Sequence, residues 1–383
     1  MRVLSLCFED VTHPTGGMGV HCRDLYRALG ARGHEITIIC IASEPPPTGE
    51  FRISENVRVL KISRTHSFRS DVPLLWHFLM EHDFTVNVLD NYGREKFDLI
   101  HIHDSHLWAV AEALQALWRI PIVLTSHLCP LLHEMRYSID LLAQYKNQLE
   151  GSALIGADEV ITVSWYYQRQ LRESLLKIET TVIHNGVDAD DLQKYARSDE
   201  VRAQYGSPEH LAVMVARPVA SKGIDLFVEA ARRMPDWKFV FVGYLPDSVE
   251  RYYPLAEQLQ EVEKIGNFKW ERHISHEDKY RLMASADVGC VPSLYEPFGI
   301  AALEWMALRV PLVTTAVGGL AEFCAPENSM IIEPDAGQLV TALRGAPSSS
   351  LQLENAYRTA QRFSWEKVAD RTAEIYRKVV GSG

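Results

Sequence analysis

The sequence predicts an α/β protein built from two doubly wound, Rossmann-like domains, and three observations support this fold class. Short apolar runs alternate with helical patterns, and strands that are apolar on both faces indicate parallel sheets covered by helices. A length of 383 residues suits two domains of about 100–200 residues each. A polar stretch from Asp190 to Pro208 separates two series of such runs, so we place the joint between the domains there.

The first series of runs predicts the elements of the first domain. Its predicted strands are Val3–Phe8, Glu35–Ile41, Val57–Ile62, Asp98–His103, Pro121–His127, Glu159–Ser164 and Thr181–His184. Helical patterns lie at Val20–Ala31 and Leu107–Leu117. The segment Arg64–Phe84 mixes basic and apolar residues, which we interpret as a hydrophobic flap over this domain rather than a membrane contact.

The second series repeats the pattern. Its predicted strands are Leu211–Ala216, Lys238–Val242, Val288–Pro292, Pro311–Thr315 and Met330–Glu333. The predicted helices are Gly223–Met234, Glu277–Ala286, Gly299–Leu308 and Trp365–Val380. In open parallel sheets, ligands bind beyond the carboxyl ends of the strands, so two facing domains of this type predict an active site in a central cleft.

The composition narrows the class of protein. With 47% hydrophobic and 23% charged residues the chain is typical of a globular protein, and its net charge of −11 argues against a general nucleic-acid binder. Six cysteines without a CxxC pair favour buried, reduced thiols over a disulfide framework. The apolar start is too short for a signal sequence, and no run approaches the about 18–20 apolar residues of a transmembrane helix. We therefore expect a cytoplasmic protein.

The stretch from Glu296 to Glu304 is the most informative candidate site. Its two carboxylates are separated by Pro297, Phe298 and Gly299 and then by helix formers. Eight residues of helix span about 12 Å, which is comparable with the separation of the two sugars in a nucleoside-diphosphate-sugar. Each carboxylate can accept hydrogen bonds from neighbouring hydroxyls, and the helix N-terminus between them offers N–H groups to a diphosphate. The alternative is an ordinary amphipathic helix with a solvent-exposed glutamate at its start.

Arg217 and Lys222 form a second candidate site, because both precede a predicted helix that opens at Gly223. The helix dipole disfavours cations at its N-terminus, so an anion bound between them would resolve the conflict. A departing diphosphate is the natural anion, since Arg can bind it through two hydrogen bonds and Lys as a point charge. The alternative is two solvated surface charges.

The glycines Gly16 and Gly17 follow the first predicted strand and precede a helix, so their backbone could approach a phosphate or a sugar closely. The segment lacks the GxGxxG spacing of dinucleotide-binding proteins. The structural alternative is a tight turn that requires positive φ angles.

His127 ends a predicted strand and is a candidate donor to a sugar hydroxyl or to developing charge, with a structural histidine as the alternative. His101, His103, Asp104 and His106 suggest a metal cluster on paper. Because side chains alternate between the faces of a strand, we predict no metal site there.

Together these motifs resemble the retaining glycosyltransferases of family 4, which have the GT-B architecture. The resemblance rests on Gly16-Gly17-Met-Gly19, the strand end at His127, His184-Asn-Gly-Val-Asp188, Arg217 with Lys222-Gly223, Glu296 with Glu304, Gly318-Gly319 with Glu322, and Phe363-Ser-Trp-Glu-Lys-Val-Ala369. It covers nearly the whole chain. Ala216, the Gly243 turn and Asn328-Ser329 depart from the usual family residues.

The resemblance implies an acceptor-side domain at 1–190, a nucleotide-sugar domain at 191–362, and a terminal helix at 363–383 that packs back on the first domain. It implies that Arg217 and Lys222 hold the diphosphate, Glu304 the ribose and Glu296 the transferred sugar. His127 approaches that sugar from the first domain, while Gly16, Gly17 and the Pro297-Phe298-Gly299 turn complete the donor site. No cofactor and no metal are implied.

We therefore expect retaining transfer of a hexose from a nucleoside-diphosphate-hexose to a hydroxyl of a sugar or another small acceptor. The partners are these two substrates, without nucleic acid, and we do not expect a peripheral membrane contact. Three alternatives stay open: a sugar-nucleotide epimerase of the same fold, a dinucleotide-dependent oxidoreductase, and a non-catalytic sugar-nucleotide sensor. The sequence leaves the base, the hexose, the acceptor and the oligomeric state undetermined.

Overall fold

The structure is a computed structural model that describes residues 1–42, 50–62, 73–128, 141–174, 177–244, 254–345 and 349–381. The chain divides into two compact units, Met1–His184 together with Trp365–Gly383, and Asn185–Ser364. Each unit contains one sheet whose neighbouring strands are almost all parallel. The predicted fold class of two doubly wound α/β domains is confirmed.

The strands of the described residues are β1 (Arg2–Cys7), β2 (Glu35–Ile41), β3 (Glu50–Ser54), β4 (Val57–Ile62), β5 (Leu99–His103), β6 (Ile122–Ser126), β7 (Glu159–Thr162), β8 (Thr181–Val182), β9 (Leu211–Val215), β10 (Lys238–Val242), β11 (Phe268–Glu271), β12 (Val288–Val291), β13 (Leu312–Thr315) and β14 (Met330–Ile332). The α-helices are α1 (Gly17–Ala31), α2 (Pro73–Tyr92), α3 (Trp108–Trp118), α4 (Leu141–Gly156), α5 (Trp165–Glu173), α6 (Ala189–Leu192), α7 (Asp199–Ala203), α8 (Ile224–Arg233), α9 (Pro254–Glu263), α10 (His276–Ser285), α11 (Ile300–Ala307), α12 (Ala336–Gly345), α13 (Ser350–Gln361) and α14 (Trp365–Gly381).

The first sheet has the order β3-β4-β2-β1-β5-β6-β7-β8, and only β3 and β4 pair antiparallel. Successive residues Val3 and Leu4 on β1 are both fully buried, which shows that helices cover both faces. The chain builds outward from β1 on one side and then returns to its other side with β5. The order therefore reverses between β1 and β5, and such a switch point is where open α/β sheets bind ligands.

The second sheet has the order β11-β10-β9-β12-β13-β14 and is parallel throughout. Its switch point lies between β9 and β12 by the same reasoning. Gly289 on β12 lies directly under the indole of Trp305 from α11, where a Cβ would overlap the ring. This contact seats α11 closely on the sheet and so fixes the helix that carries Glu304.

The terminal helix α14 packs on the first unit. Its buried residues Trp365, Ala369 and Tyr376 join the same apolar cluster as Cys22 and Tyr26 of α1. Arg32 at the end of α1 forms an ion pair with Asp370 of α14. The last helix thus supplies part of the core of the first unit.

Several predicted elements differ from the observed ones at particular places. The strands β3 and β11 were not predicted, because each lies at the edge of its sheet and an edge strand needs fewer apolar residues. In β11, apolar and charged residues alternate in Phe268-Lys-Trp-Glu271. The polar stretch assigned to the joint contains α6 and α7, and its Arg202 is buried against Asp287 at 3.0 Å. The described part of the predicted flap, from residue 73 onward, belongs to α2, and residues 64–72 lie outside the described residues.

Five described cysteines, Cys7, Cys22, Cys40, Cys290 and Cys324, are free and buried, as predicted. Cys129 lies outside the described residues. Among the helices that the structure describes, none combines the length and the apolar character that crossing a membrane requires.

Candidate active site

Two loops meet at the switch point of the second sheet, because β9 and β12 are neighbours there. The N–H of Leu294 in the loop after β12 donates to the carbonyl oxygen of Ser221 in the loop after β9, at 2.8 Å. Gly223 has a φ of 71°, and a Cβ at this position would overlap the carbonyl oxygen of Pro292. Glycine is therefore required for the two loops to approach this closely.

The close approach of these loops brings Lys222 and Glu296 into contact. The Lys222 ammonium lies 2.8 Å from Glu296 Oε2, and both side chains are largely buried, at 15% and 13% exposure. The Ser293 hydroxyl donates to the same carboxylate oxygen at 3.2 Å. The alternative of a solvated surface charge is therefore wrong for Lys222, and that of a solvent-exposed glutamate is wrong for Glu296.

The turn that follows Glu296 is held rigidly. Gly299 has a φ of 107° and is the N-cap residue of α11, a conformation that favours glycine. Phe298 is 2% exposed, and the N–H of Gly319 in the loop after β13 donates to the carbonyl oxygen of Glu296 at 2.9 Å. A Cβ on Gly319 would overlap the carbonyl oxygen of Pro297. The predicted donor-binding turn thus has a fixed backbone at the N-terminus of a helix.

Glu304 lies on α11, as predicted, and is 4% exposed. Its Oε1 accepts hydrogen bonds from the ammonium of Lys279 at 2.9 Å and from the hydroxyl of Tyr280 at 2.6 Å. Both donors come from α10, and sequence reasoning missed them, because no motif signals which side chains a neighbouring helix will supply. Two donors to one buried oxygen fix the position of the carboxylate.

Arg217 follows β9, as predicted, but its side chain is exposed. Among the described residues it forms no ion pair with the carboxylates of this unit, so the structure does not group it with Lys222 and Glu296. The carbonyl oxygen of Arg217 accepts a hydrogen bond from the N–H of Val219 at 2.8 Å, which holds the backbone of this loop. The alternative of a solvated charge therefore stays open for Arg217.

The glycine loop of the first unit follows β1, at the switch point of that sheet. Gly16 has a φ of −141°, and neither it nor Gly17 has a positive φ, so the alternative of a turn that needs positive φ is wrong. A Cβ on Gly16 would lie 2.6 Å from Glu9 Oε1, and the N–H of Gly19 donates to Glu9 Oε2 at 2.8 Å. The loop closes around the Glu9 carboxylate, and Gly16 leaves room for the end of that side chain.

His127 follows β6 and lies beside the residues at the end of β5. Its backbone N–H donates to Asp104 Oδ1 at 2.6 Å. Asp104 has a φ of 56° and a ψ of 176°, a combination that is strained for any residue except glycine. Strain of this size persists where the surrounding structure imposes it, and here it directs the Asp104 carboxylate at the backbone of His127.

The His127 ring is the last member of a buried hydrogen-bonded cluster. Its Nε2 lies 3.1 Å from Nδ1 of His103, and the other ring nitrogen of His103 lies 2.6 Å from the Tyr26 hydroxyl. The Tyr26 hydroxyl also lies 3.0 Å from Nδ1 of His101, which is 2.6 Å from the Tyr376 hydroxyl on α14. Sequence reasoning identified His127 alone of these residues as functional.

Burial determines the charge of this cluster. Desolvation lowers the pKa of His101 to about 3 and holds the pKa values of His103 and His127 well below their usual range. Neighbouring imidazoles add to the effect, because each would repel a second positive charge. Burial also raises the pKa values of Tyr26 and Tyr376, so both phenols keep their protons.

The prediction of no metal site at His101, His103, Asp104 and His106 relied on the alternation of side chains along a strand, and this reason does not hold for His101 and His103. His101 and His103 are two positions apart on β5 and share one face, with ring centroids 4.4 Å apart. The structure then groups His103 with His21 and His127, whose nearest ring nitrogens all lie within 4.8 Å of one another. Three imidazoles at this spacing could hold a metal ion. The hydrogen bond between His103 and His127 accounts for their short contact without one.

Two known protein families match the chain, one over most of each unit. The family described as Glycosyltransferase Family 4 matches residues 15–191, and the family described as Glycosyl transferases group 1 matches residues 197–362. The alpha-maltose-1-phosphate synthase of Mycobacterium tuberculosis is 30% identical over 99% of this chain and 100% of that protein. The glycogen synthase of the same species is 27% identical over 98% of this chain and 94% of that protein.

Solved structures agree on the fold. The sucrose-phosphate synthase of Thermosynechococcus elongatus superposes with a TM-score of 0.82 at 24% identity, covering 100% of both chains. The Anabaena protein HepE, solved in complex with UDP-glucose, gives a TM-score of 0.75 at 20% identity over 99% of this chain and 100% of that chain.

Proposed function

The chain is a glycosyltransferase of the GT-B fold and of the family 4 type, which confirms the predicted resemblance, and on this basis we propose a specific reaction. It transfers a hexose from a nucleoside-diphosphate-hexose to a hydroxyl of a sugar or another small acceptor, with retention and without a metal. Relatives named for glycogen and maltose-1-phosphate synthesis favour a sugar or a sugar phosphate as the acceptor.

The contact between Lys222 and Glu296 is the observation that carries the proposal. A largely buried ammonium and carboxylate, 2.8 Å apart at a sheet switch point, form a pair that a donor can exchange. The diphosphate attracts Lys222, and the released Glu296 oxygen accepts hydrogen bonds from hydroxyls of the transferred sugar. Arg217, exposed on the loop after β9, provides a second cation for the diphosphate.

Glu304 suits the ribose of the donor. Its Oε1 is engaged by Lys279 and Tyr280, whereas its Oε2 accepts no hydrogen bond among the described residues. One fixed and one available oxygen allow the carboxylate to accept from a ribose hydroxyl without losing its protein contacts. The N–H groups at the start of α11 add positive potential for the phosphates.

In the proposed reaction the bond between the anomeric carbon and the phosphate oxygen breaks as the acceptor oxygen bonds to the same face of the sugar. The acceptor proton passes to the departing phosphate oxygen. The protein's part is to stabilise the charge that accumulates on the diphosphate, which preorganised cations and N–H groups do.

The test is a panel of UDP-, GDP-, ADP- and dTDP-sugars in the presence of a chelator, followed by release of the nucleoside diphosphate with and without candidate acceptors. The proposal expects saturable binding of one donor and a release that accelerates with an acceptor. Conversion of the donor without an acceptor would favour an epimerase. Binding of NAD(P) with hydride transfer would favour an oxidoreductase, and binding without release would favour a sensor.

A further inference from the structure

The cluster behind His127 contains few enough protons to be assigned one by one. A neutral imidazole has one N–H and one lone pair, and a phenol has a single proton to donate. His101 and His103 are fully buried, and among the described residues their ring nitrogens contact only hydroxyls and another imidazole, so no carboxylate favours a second proton on either ring. The directions of the hydrogen bonds then follow from which contacts are shortest.

The contacts of His101 determine which of its ring nitrogens carries the proton. Its Nε2 lies 2.8 Å from the hydroxyl of Thr125, and its Nδ1 is contacted by Tyr376 at 2.6 Å and by Tyr26 at 3.0 Å. The phenol of Tyr376 donates along the shorter contact and occupies the Nδ1 lone pair. The imidazole proton of His101 is then on Nε2 and is donated to Thr125.

The shortest contact of the Tyr26 hydroxyl favours donation of its proton to His103. This hydroxyl lies 2.6 Å from His103 Nε2, shorter than its contact with His101. When Tyr26 donates to this nitrogen, the proton of His103 is on Nδ1 and is donated to His127 Nε2 at 3.1 Å. In the reverse direction the Tyr26 proton would leave its shortest contact, either for His101, whose lone pair Tyr376 already occupies, or for the hydroxyls of Ser5 and Tyr376. The short contacts therefore favour the first arrangement.

The backbone of His127 is fixed independently. The strained Asp104 accepts hydrogen bonds from the N–H groups of His127 and Leu128, at 2.6 and 3.3 Å. The ring of His21 lies edge-on to the His127 ring, with centroids 4.6 Å apart. Backbone and ring are therefore both held before any ligand is bound.

We infer that Tyr26 and His103 form a hydrogen-bond relay that fixes His127 as a neutral imidazole protonated on Nδ1, so that it presents an N–H donor to the substrate. Nδ1 of His127 has no hydrogen-bond partner among the described residues, and the side chain is partly exposed. In this state His127 donates to a substrate oxygen and does not act as a base through Nδ1. Its contact with substrate rests on the proposed function, whereas its tautomer does not.

The direct test is the tautomer of His127, measured by long-range proton–nitrogen NMR correlation on protein labelled with ¹⁵N-histidine. The His127 signal is assigned as the one lost in His127→Gln. The spectra are recorded after chelation, so that no metal ion on His21, His103 and His127 sets the tautomer. The relay predicts that the Nδ1–H form predominates in the native protein.

Two matched phenol variants test the cause. Tyr26→Phe removes the donor to His103, so the tautomers of His127 should mix. Tyr167→Phe removes an equally buried hydroxyl that contacts Ser126 and should leave the His127 signal unchanged. A native His127 that is protonated on Nε2, or a Tyr26→Phe protein with an unchanged Nδ1–H population, would overturn the inference.

Turnover gives a second readout. Tyr26→Phe is expected to lower kcat/KM about three- to tenfold, the range of one hydrogen bond, while Tyr167→Phe stays near the native value. His103→Asn keeps an N–H beside His127 and should retain more activity than His103→Leu. If no nucleotide-sugar binds, the proposed function fails, but the NMR result still decides whether the relay exists.

Discussion

The two units place polar residues at the same point of similar sheets but use opposite chemistry. In the first unit, the cluster around His127 consists of neutral imidazoles and phenols, deeply buried and linked by hydrogen bonds. In the second unit, the corresponding position holds two ion pairs, Lys222 with Glu296 and Lys279 with Glu304. Both positions are switch points of parallel sheets.

The difference in charge determines which ligands each of the two sites can attract. A neutral, fully bonded cluster can orient one N–H donor, but it offers no net charge to an anion. An ion pair can exchange one partner for a charged ligand, because each member is already attractive to an opposite charge. The arrangement supports binding of the anionic donor by the second unit and orientation of a neutral group by the first.

Replacing a glycine by alanine should have the largest and most different effects on stability in the two loops that contain Gly223 and Gly16. In Gly223→Ala the Cβ overlaps backbone and the φ of 71° is unfavourable, so we expect a loss of about 2–5 kcal/mol from overpacking and strain. In Gly16→Ala the Cβ meets only the flexible end of Glu9, and we expect less than about 1 kcal/mol. Urea unfolding of both variants measures the difference. Equal losses would contradict the proposed reason for Gly223.

Removing the exchangeable cation should affect turnover almost as strongly. Lys222→Met is expected to lose about 2–4 kcal/mol of transition-state stabilisation, measured as kcat/KM, and Arg217→Ala a loss on the same scale. Lys264→Met is the control, because Lys264 follows α9, is 69% exposed and, among the described residues, pairs only with Glu261. Near-native turnover in both Lys222→Met and Arg217→Ala would remove the diphosphate assignment.

The second ion pair predicts a smaller effect on stability. Lys279→Met leaves the buried Glu304 carboxylate with Tyr280 as its remaining donor, so the free energy of unfolding should fall by about 1–3 kcal/mol. Arg281→Met on the same helix removes an exposed pair with Glu277 and should cost less than about 0.5 kcal/mol. If adding Glu304→Gln to Lys279→Met restores no stability, the unpaired charge is not the cause.

The neutral cluster predicts a dependence of stability on pH. His101, His103 and His127 have pKa values below 6.5 in the folded protein, so unfolding takes up protons as the pH falls below about 6.5. Their stabilisation is fully present above that pH and is lost on acidification, by up to about 1.4 kcal/mol per pH unit for each histidine. The slope between pH 6 and pH 5 should be smaller in His101→Gln. An unchanged slope would show that His101 is not neutral by burial.

Much of the fold follows from the sequence, because a buried parallel strand needs a continuous apolar run. The predicted bounds Glu35–Ile41, Val57–Ile62 and Lys238–Val242 are those observed, and α11 lies within the predicted helix. Edge strands such as β3 lack this signal. The motif Glu296 to Glu304 likewise indicates a candidate site, although the pairing of its two carboxylates with Lys222 and Lys279 was not predicted.

The partners of these motifs could not be predicted, because they come from distant segments. Lys279 reaches Glu304 from α10, and Tyr376 reaches His101 across 275 positions. Asp104 acquires its role only through a backbone conformation that its sequence neighbours do not indicate. Periodicity identifies which face of an element is buried, whereas the neighbours on that face depend on how the elements pack.

The most direct measurement compares the affinities of a nucleoside diphosphate and the matching monophosphate, by calorimetric titration, for the native protein and for Lys222→Met. The base is the one selected by the donor panel. We predict that the native protein prefers the diphosphate, and that Lys222→Met reduces this preference by about 10- to 100-fold while Lys264→Met does not. An undiminished preference in Lys222→Met would contradict the exchange of Glu296 for the diphosphate at Lys222.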